Sequence, residues 1–381
     1  MNKNLVYIVS EDWYFLSHRL SLARNAMRNG FNVFVICKNT GKLDKIKSYG
    51  FKCYELTASR NNTSIVASIK EVINIRLIIK NIKPSIVHLV ALRPIILGLI
   101  SIILFNNIKI VSSITGMGSI FLSKNLKIRL LKYFIFIFLF IKFKRKNNNI
   151  IVQNKDDYNL FTKKFNINKN KIFLIRGSGV DINYFNYVKE PSINPIIVTF
   201  VGRLIKDKGI ENLFKAFKKV NNKNINLLIA GNIDTSNPSA ISEKYIISEL
   251  KKNNNISWLG EVNNIKKLWE KSHIAILPSR REGLPKSLLE AAASGRAIIA
   301  TDVAGCREIA INNYNAITVK LDNVDELAAA IKYLATNHEI RKQYGIKSRE
   351  LVEKDMSDEI IINKTISIYE SLYKILNTEL R

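Results

Sequence analysis

The chain has 381 residues, 47% of them hydrophobic and 24% charged, which is ordinary for a globular protein and too long for one average core. The net charge of +28 is not ordinary, and it is uneven: residues 1–190 carry 31 Lys and Arg against 9 Asp and Glu (+22), and residues 191–381 carry 28 against 22 (+6). The three cysteines, Cys37, Cys53 and Cys306, exclude a disulfide framework or a cysteine metal cluster, and no apolar run reaches the ~18–20 residues of a membrane-spanning helix.

A basic half implies an anionic partner, either nucleic acid or a membrane surface. The Ile-, Lys- and Asn-rich composition accounts for part of the lysine excess but not for its asymmetry.

In chain order, Leu5–Val9 reads as a first buried strand rather than a secretory signal. The loop Glu11-Asp12-Trp13-Tyr14 follows, then a helix capped by Ser17, running to Asn29 and closed by Gly30. Phe31–Cys37 is the second strand, so the opening is a parallel βαβ unit. His18 falls near the expected helix start, where either a role beside a ligand or a plain loop histidine fits. His88 sits within the apolar strand Ser85–Val90 and reads as core. Ile108–Ile114 is a strand leading to Thr115-Gly116.

Tyr133–Ile141 is a run of nine aromatic and aliphatic residues with cations on both sides. It is too short to cross a bilayer, yet it suits an interfacial segment on anionic lipid, through Lys132, Tyr133, Phe134, Phe136, Phe138, Phe140, Lys142, Lys144 and Arg145. A packed helix with charged ends is the alternative.

Residues 1–182 form the first expected domain and 183–195 a linker with prolines at 191 and 195. The second domain spans 196–356, and a last helix spans 357–381.

The second domain carries the chemistry. The strand Ile196–Val201 ends in Gly202-Arg203, and Lys208-Gly209 precedes a helix. A forked guanidinium and a point ammonium at a strand end suit a diphosphate. About 80 residues on, the strand Ile274–Leu277 leads through a turn at Glu282-Gly283-Leu284-Pro285 into a helix carrying Glu290 and closed by Gly295. A helix N-terminus at a strand's carboxyl end is an anion site. Glu282 can reach ligand hydroxyls, and Glu290, deeper in, can accept two hydrogen bonds from a vicinal diol such as a ribose. Phosphate on the helix end with carboxylates around it describes a nucleotide sugar. Taken alone, the Glu-x7-Glu spacing also fits an ordinary helix with two surface glutamates.

Both motifs, in this order and at this separation, resemble the signature of the retaining glycosyltransferases of family 4. That resemblance implies an α/β chain of GT-B fold: two Rossmann-like doubly wound domains facing a cleft, with the last helix packing back on the first. It places Glu282 against the donor sugar, Glu290 against the ribose, and Arg203 and Lys208 on the diphosphate, with Gly283, Leu284 and Pro285 lining the donor. Many relatives carry a histidine where this chain has Thr115, so Thr115 and His18 are the acceptor-side candidates. No Asp-x-Asp occurs, so no metal and no cofactor is expected.

The resemblance is to bacterial enzymes of lipopolysaccharide, capsule or lipid-linked glycan assembly. It implies transfer of a hexose or N-acetylhexosamine from a UDP-sugar to an undecaprenyl-diphosphate-linked saccharide. The place would be the cytoplasmic face of the plasma membrane, on an anionic surface and without nucleic acid. The competing readings are another GT-B enzyme (an epimerase or phosphorylase) and a basic nucleic-acid-binding protein.

Overall fold

The computed structural model describes residues 2–57, 64–116, 137–145, 147–235 and 237–379. The chain forms two compact units. One comprises Met1–Ser178 with Ile361–Arg381, and the other is Gly179–Ile360.

The first unit holds seven strands: β1 (Asn4–Glu11), β2 (Asn32–Lys38), β3 (Lys52–Glu55), β4 (Ile86–Val90), β5 (Lys109–Ile114), β6 (Asn148–Val152) and β7 (Ile172–Leu174). Their order is β3-β2-β1-β4-β5-β6-β7, with every pair parallel. Strands buried on both faces read as near-continuous Val/Ile/Leu runs, as in Leu5–Val9 and Ile86–Val90. One apolar cluster fills each face of the sheet.

The second unit repeats the plan with β8 (Ile196–Val201), β9 (Ile225–Ala230), β10 (Ile256–Gly260), β11 (Ile274–Leu277), β12 (Ala297–Thr301) and β13 (Ala316–Val319). Its order is β10-β9-β8-β11-β12-β13, again all parallel. In each unit the strand order reverses beside the first strand, at β1/β4 and at β8/β11, and such switch points are where open α/β sheets bind ligands.

The final helix, Asp358–Glu379, buries Ile361, Ile362, Ile366, Tyr369, Leu372 and Leu376 at helical spacing in the first unit. Tyr369 shares a hydroxyl–hydroxyl bond of 3.0 Å with Tyr7 and bonds Nδ1 of His88, whose Nε2 lies 2.6 Å from Ser113 Oγ. Complete burial holds the His88 imidazole well below its usual range, so it is neutral. His88 is thus a core histidine.

Residues 183–195 belong to the second unit. There Arg341 holds Glu190 with a fork of hydrogen bonds at 2.6–3.1 Å, and Arg349 bonds the carbonyls of Ile182 and Phe185.

Two local expectations change. The first helix starts at Asp12, not at Ser17. The buried Asp12 carboxylate accepts the N–H of Trp13, Thr40 and Lys42 and the Thr40 hydroxyl, which ties the helix start to the loop after β2. Ser17 instead donates to the carbonyl of Trp13, so it caps nothing, and His18 ends that helix rather than opening the next.

The basic-flanked apolar run also changes. Lys132, Tyr133, Phe134 and Phe136 lie outside the described residues. In the helical stretch 137–144, Leu139 and Phe143 are buried, Phe138 packs on the same core, and Phe140 stands 6.3 Å from Phe165. Lys142 is only 6% exposed, because it lies on the inward side of this stretch with its ammonium over Phe138. It is not the surface cation that the sequence suggested, whereas Lys144 and Arg145 are exposed.

Candidate active site in the second unit

The loops after β8, β9 and β11 converge, and glycines permit it. A Cβ on Gly209 would lie 1.9 Å from the Pro278 carbonyl oxygen, and one on Gly231 would lie 2.0 Å from that of Gly202. Gly209 also has a φ of +73°, which L side chains rarely adopt. Gly305 backs the Glu282 turn, since a Cβ there would meet the carbonyl oxygens of Gly283 and Glu282 at 2.4 and 2.5 Å.

This convergence brings the predicted residues together. The Lys208 side chain passes beside Gly202, and its ammonium reaches Glu282 Oε1 at 2.5 Å, with both side chains largely buried (20% and 11% exposed). Arg203 Nη1 pairs with Asp234 Oδ2 at 2.5 Å. Arg281, next to Glu282, holds Asp207 at 2.7 Å, and Ser279 Oγ donates to the Asp207 carbonyl, so the Lys206–Lys208 turn and the Glu282 turn are clamped as one.

Gly283 and Leu284 are half-buried and Pro285 is buried at the N-cap of the helix Lys286–Ala293. That helix carries Glu290 one turn in. Burial raises the Glu290 carboxyl to about 7, while the charge of Lys286 and the indole of Trp269 oppose the rise. Burial likewise pushes up the Cys306 thiol, reinforced by the charge of Glu282, so this cysteine is a neutral packing residue.

Asp234, Asp207, Arg281 and Trp269 escape the sequence reading. Asp234 had a faint signal, a carboxylate four residues beyond the end of β9 and just past Gly231. Trp269 reads as simple core, and it is 1% exposed.

His18 and Thr115 lie in the first unit. His18 is half-buried, its ring stacked on Tyr14 at 4.3 Å with Nδ1 2.6 Å from Ser17 Oγ. Thr115 stands half-buried just beyond β5.

As built, each cation of the site is neutralised by a carboxylate. An incoming diphosphate offers Arg203 and Lys208 new partners, which frees carboxylates for sugar hydroxyls. Two cation–carboxylate pairs, Arg203–Asp234 and Lys208–Glu282, thus stand at the carboxyl-end loops of the second sheet.

The family model for glycosyl transferases group 1 matches residues 186–351, and that for glycosyl transferase 4-like domains matches residues 4–154. The chain belongs to the family 4 glycosyltransferases of GT-B fold. It is 23% identical to the N,N'-diacetylbacillosaminyl-diphospho-undecaprenol alpha-1,3-N-acetylgalactosaminyltransferase of Campylobacter jejuni, over 94% of this chain and 98% of that one. It is also 23% identical to the UDP-Gal:alpha-D-GlcNAc-diphosphoundecaprenol alpha-1,3-galactosyltransferase of Escherichia coli, over 88% and 90%. Among solved structures, the sucrose-phosphate synthase of Thermosynechococcus elongatus superposes with a TM-score of 0.82 at 16% identity, over 98% of this chain and 99% of that one, which supports the fold.

Proposed function

We propose that this glycosyltransferase moves a hexose or N-acetylhexosamine, with retention, from a UDP-sugar to a saccharide carried on undecaprenyl diphosphate. The observation that carries the reading is the Lys208–Glu282 pair beside Arg203 at the carboxyl end of β8. Here a diphosphate leaving group meets two cations and a donor sugar meets a carboxylate.

In the step proposed, an acceptor hydroxyl oxygen forms a bond to the donor's anomeric carbon. The bond from that carbon to the β-phosphate oxygen breaks, and the nucleoside diphosphate leaves with the electron pair. The hydroxyl proton passes to an oxygen of the departing phosphate on the same face, so configuration is kept. Arg203, Lys208 and the N-terminus of the helix Lys286–Ala293 hold the charge that develops on the diphosphate. Glu282 takes a sugar hydroxyl and Glu290 the ribose diol. No metal or cofactor enters this scheme, so a chelator is expected to leave the rate unchanged.

The acceptor assignment leans on the two bacterial relatives, whose names specify diphospho-undecaprenol acceptors, and on the basic first half. His18 and Thr115 are its candidate contacts in the first unit. Action at the cytoplasmic membrane face follows from that acceptor. Among the described residues no helix is long and apolar enough to cross a membrane.

The test is transfer from a panel of UDP-, GDP- and dTDP-sugars to undecaprenyl-diphosphate-linked saccharides, with the anomeric proton coupling of the product read by NMR. Transfer from one donor with retained configuration, lost in Glu282→Ala, is the expected result. An inverted product, or release of a sugar phosphate instead of transfer, would overturn the reading.

A further inference from the structure

A third cation stands beside the Glu282 turn and has no part in the scheme above. Arg307 ends the short helix Ala304–Arg307, which follows β12. β12 pairs with β11 from Ala297 to Ala300, so its carboxyl end lies next to the strand that leads into Glu282. Two contacts fasten the segments there. The Thr301 hydroxyl donates to the carbonyl of Ser279, and Gly305 lies against the carbonyls of Glu282 and Gly283.

Electrostatics put Arg307 in the same neighbourhood. Burial pushes the Cys306 thiol up and Glu282 adds to the rise, while Lys208, a hydrogen bond from Thr301 and the charge of Arg307 oppose it. One buried thiol thus senses Glu282, Lys208 and Arg307 together.

Arg307 differs from Lys208 in how it is held. Its guanidinium donates from Nε to a carboxylate oxygen of Asp302 and from Nη2 to the Asp302 carbonyl at 3.3 Å. Arg307 is 47% exposed and Asp302 53%, against 20% and 11% for Lys208 and Glu282. An ion pair in water contributes little, so Asp302 orients the guanidinium without committing it. A guanidinium that faces water takes a phosphate as a fork of two hydrogen bonds, which is a stronger match than the exposed pair it replaces.

In the scheme proposed, Arg203 and Lys208 take the donor's diphosphate. The acceptor brings a second one, joined to the saccharide whose hydroxyl attacks beside Glu282. We propose that Arg307 binds the diphosphate of the acceptor, exchanging Asp302 for it, and so sets which acceptors are used. The inference rests on the acceptor class given under the proposed function. Charge and place select the occupant: a forked donor in water, on the segment that backs the turn of Glu282.

The experiment measures kcat and KM of the full chain for one saccharide linked to an octyl chain either directly or through a diphosphate, with UDP affinity measured alongside. The unsubstituted protein is expected to favour the diphosphate form by more than about tenfold in kcat/KM. Arg307→Gln should cut that preference about tenfold through KM, with kcat and UDP affinity unchanged. Asp302→Asn removes the competing carboxylate and should strengthen the preference about threefold. Opposite shifts from two exposed neighbours separate recognition from damage to the fold. Arg280, two residues before Glu282, forms another half-exposed pair, with Asp322, and Arg280→Gln should leave the preference as it is. A preference that survives Arg307→Gln, a matching loss in Arg280→Gln, or weaker UDP binding in Arg307→Gln would overturn the inference and leave the acceptor reading standing. No preference in the unsubstituted protein would overturn that reading, and this inference with it.

Discussion

Glu290 carries the sharpest residue-level consequence. Burial raises its carboxyl to about 7, so below that pH the free protein holds it protonated. On the proposed assignment of the ribose diol to Glu290, two donating hydroxyls favour the ionised acceptor, so nucleotide binding is expected to release a proton at low pH. UDP affinity is expected to rise about tenfold from pH 6 to a plateau near pH 8, and Glu290→Gln should flatten that profile; calorimetry at several pH values measures both. Fold stability runs the other way. A raised carboxyl contributes most below the unfolded value near 4.5, and that contribution is lost as pH rises through 7. The pair at Lys208 and Glu282 has a related logic: Lys208→Met should lower kcat by about 10²–10³-fold, because a cation proposed to hold the leaving group is lost and the largely buried Glu282 is left without its partner.

At the scale of elements, close backbone approach holds the site. Gly305 has room for no side chain against the carbonyls of Glu282 and Gly283. Gly305→Ala should therefore displace the Glu282 turn, reducing kcat at least tenfold while the melting temperature falls only a few degrees. A proportionate loss of both would mean that the turn is merely structural. In the first unit the last helix is fastened through Tyr369. Tyr369→Phe leaves His88 Nδ1 and the Tyr7 hydroxyl short of a buried partner, a cost of about 1–3 kcal/mol, which thermal unfolding would register.

At the scale of the molecule, what was legible in the chain follows from how local each signal is. Strand runs such as Ile196–Val201, the turn at Gly283 and Pro285, and the paired motifs announce a doubly wound α/β protein of this glycosyltransferase family. The Lys208–Glu282 bond is different. It joins residues 74 positions apart and exists because β8 pairs with β11 in the sheet, which no local pattern states. Asp234, brought to Arg203 by the β8–β9 pairing, was hidden for the same reason. Lys142 was misread because alternation of aromatic and basic residues looks the same whether a helix faces lipid or its own core. The start of the first helix was misread because the partners of Asp12 at Thr40 and Lys42 arrive from beyond β2.

The central claim is that the carboxyl ends of β8 and β11 form a donor site whose cations, now paired with carboxylates, re-pair with a diphosphate. Titrating the full chain with UDP, and separately with UMP, tests it most directly. The account predicts one site per chain, UDP binding at least tenfold tighter than UMP, and that advantage erased in Arg203→Ala/Lys208→Ala. Equal affinity for UDP and UMP in the unsubstituted protein, or an advantage that survives loss of both cations, would contradict it.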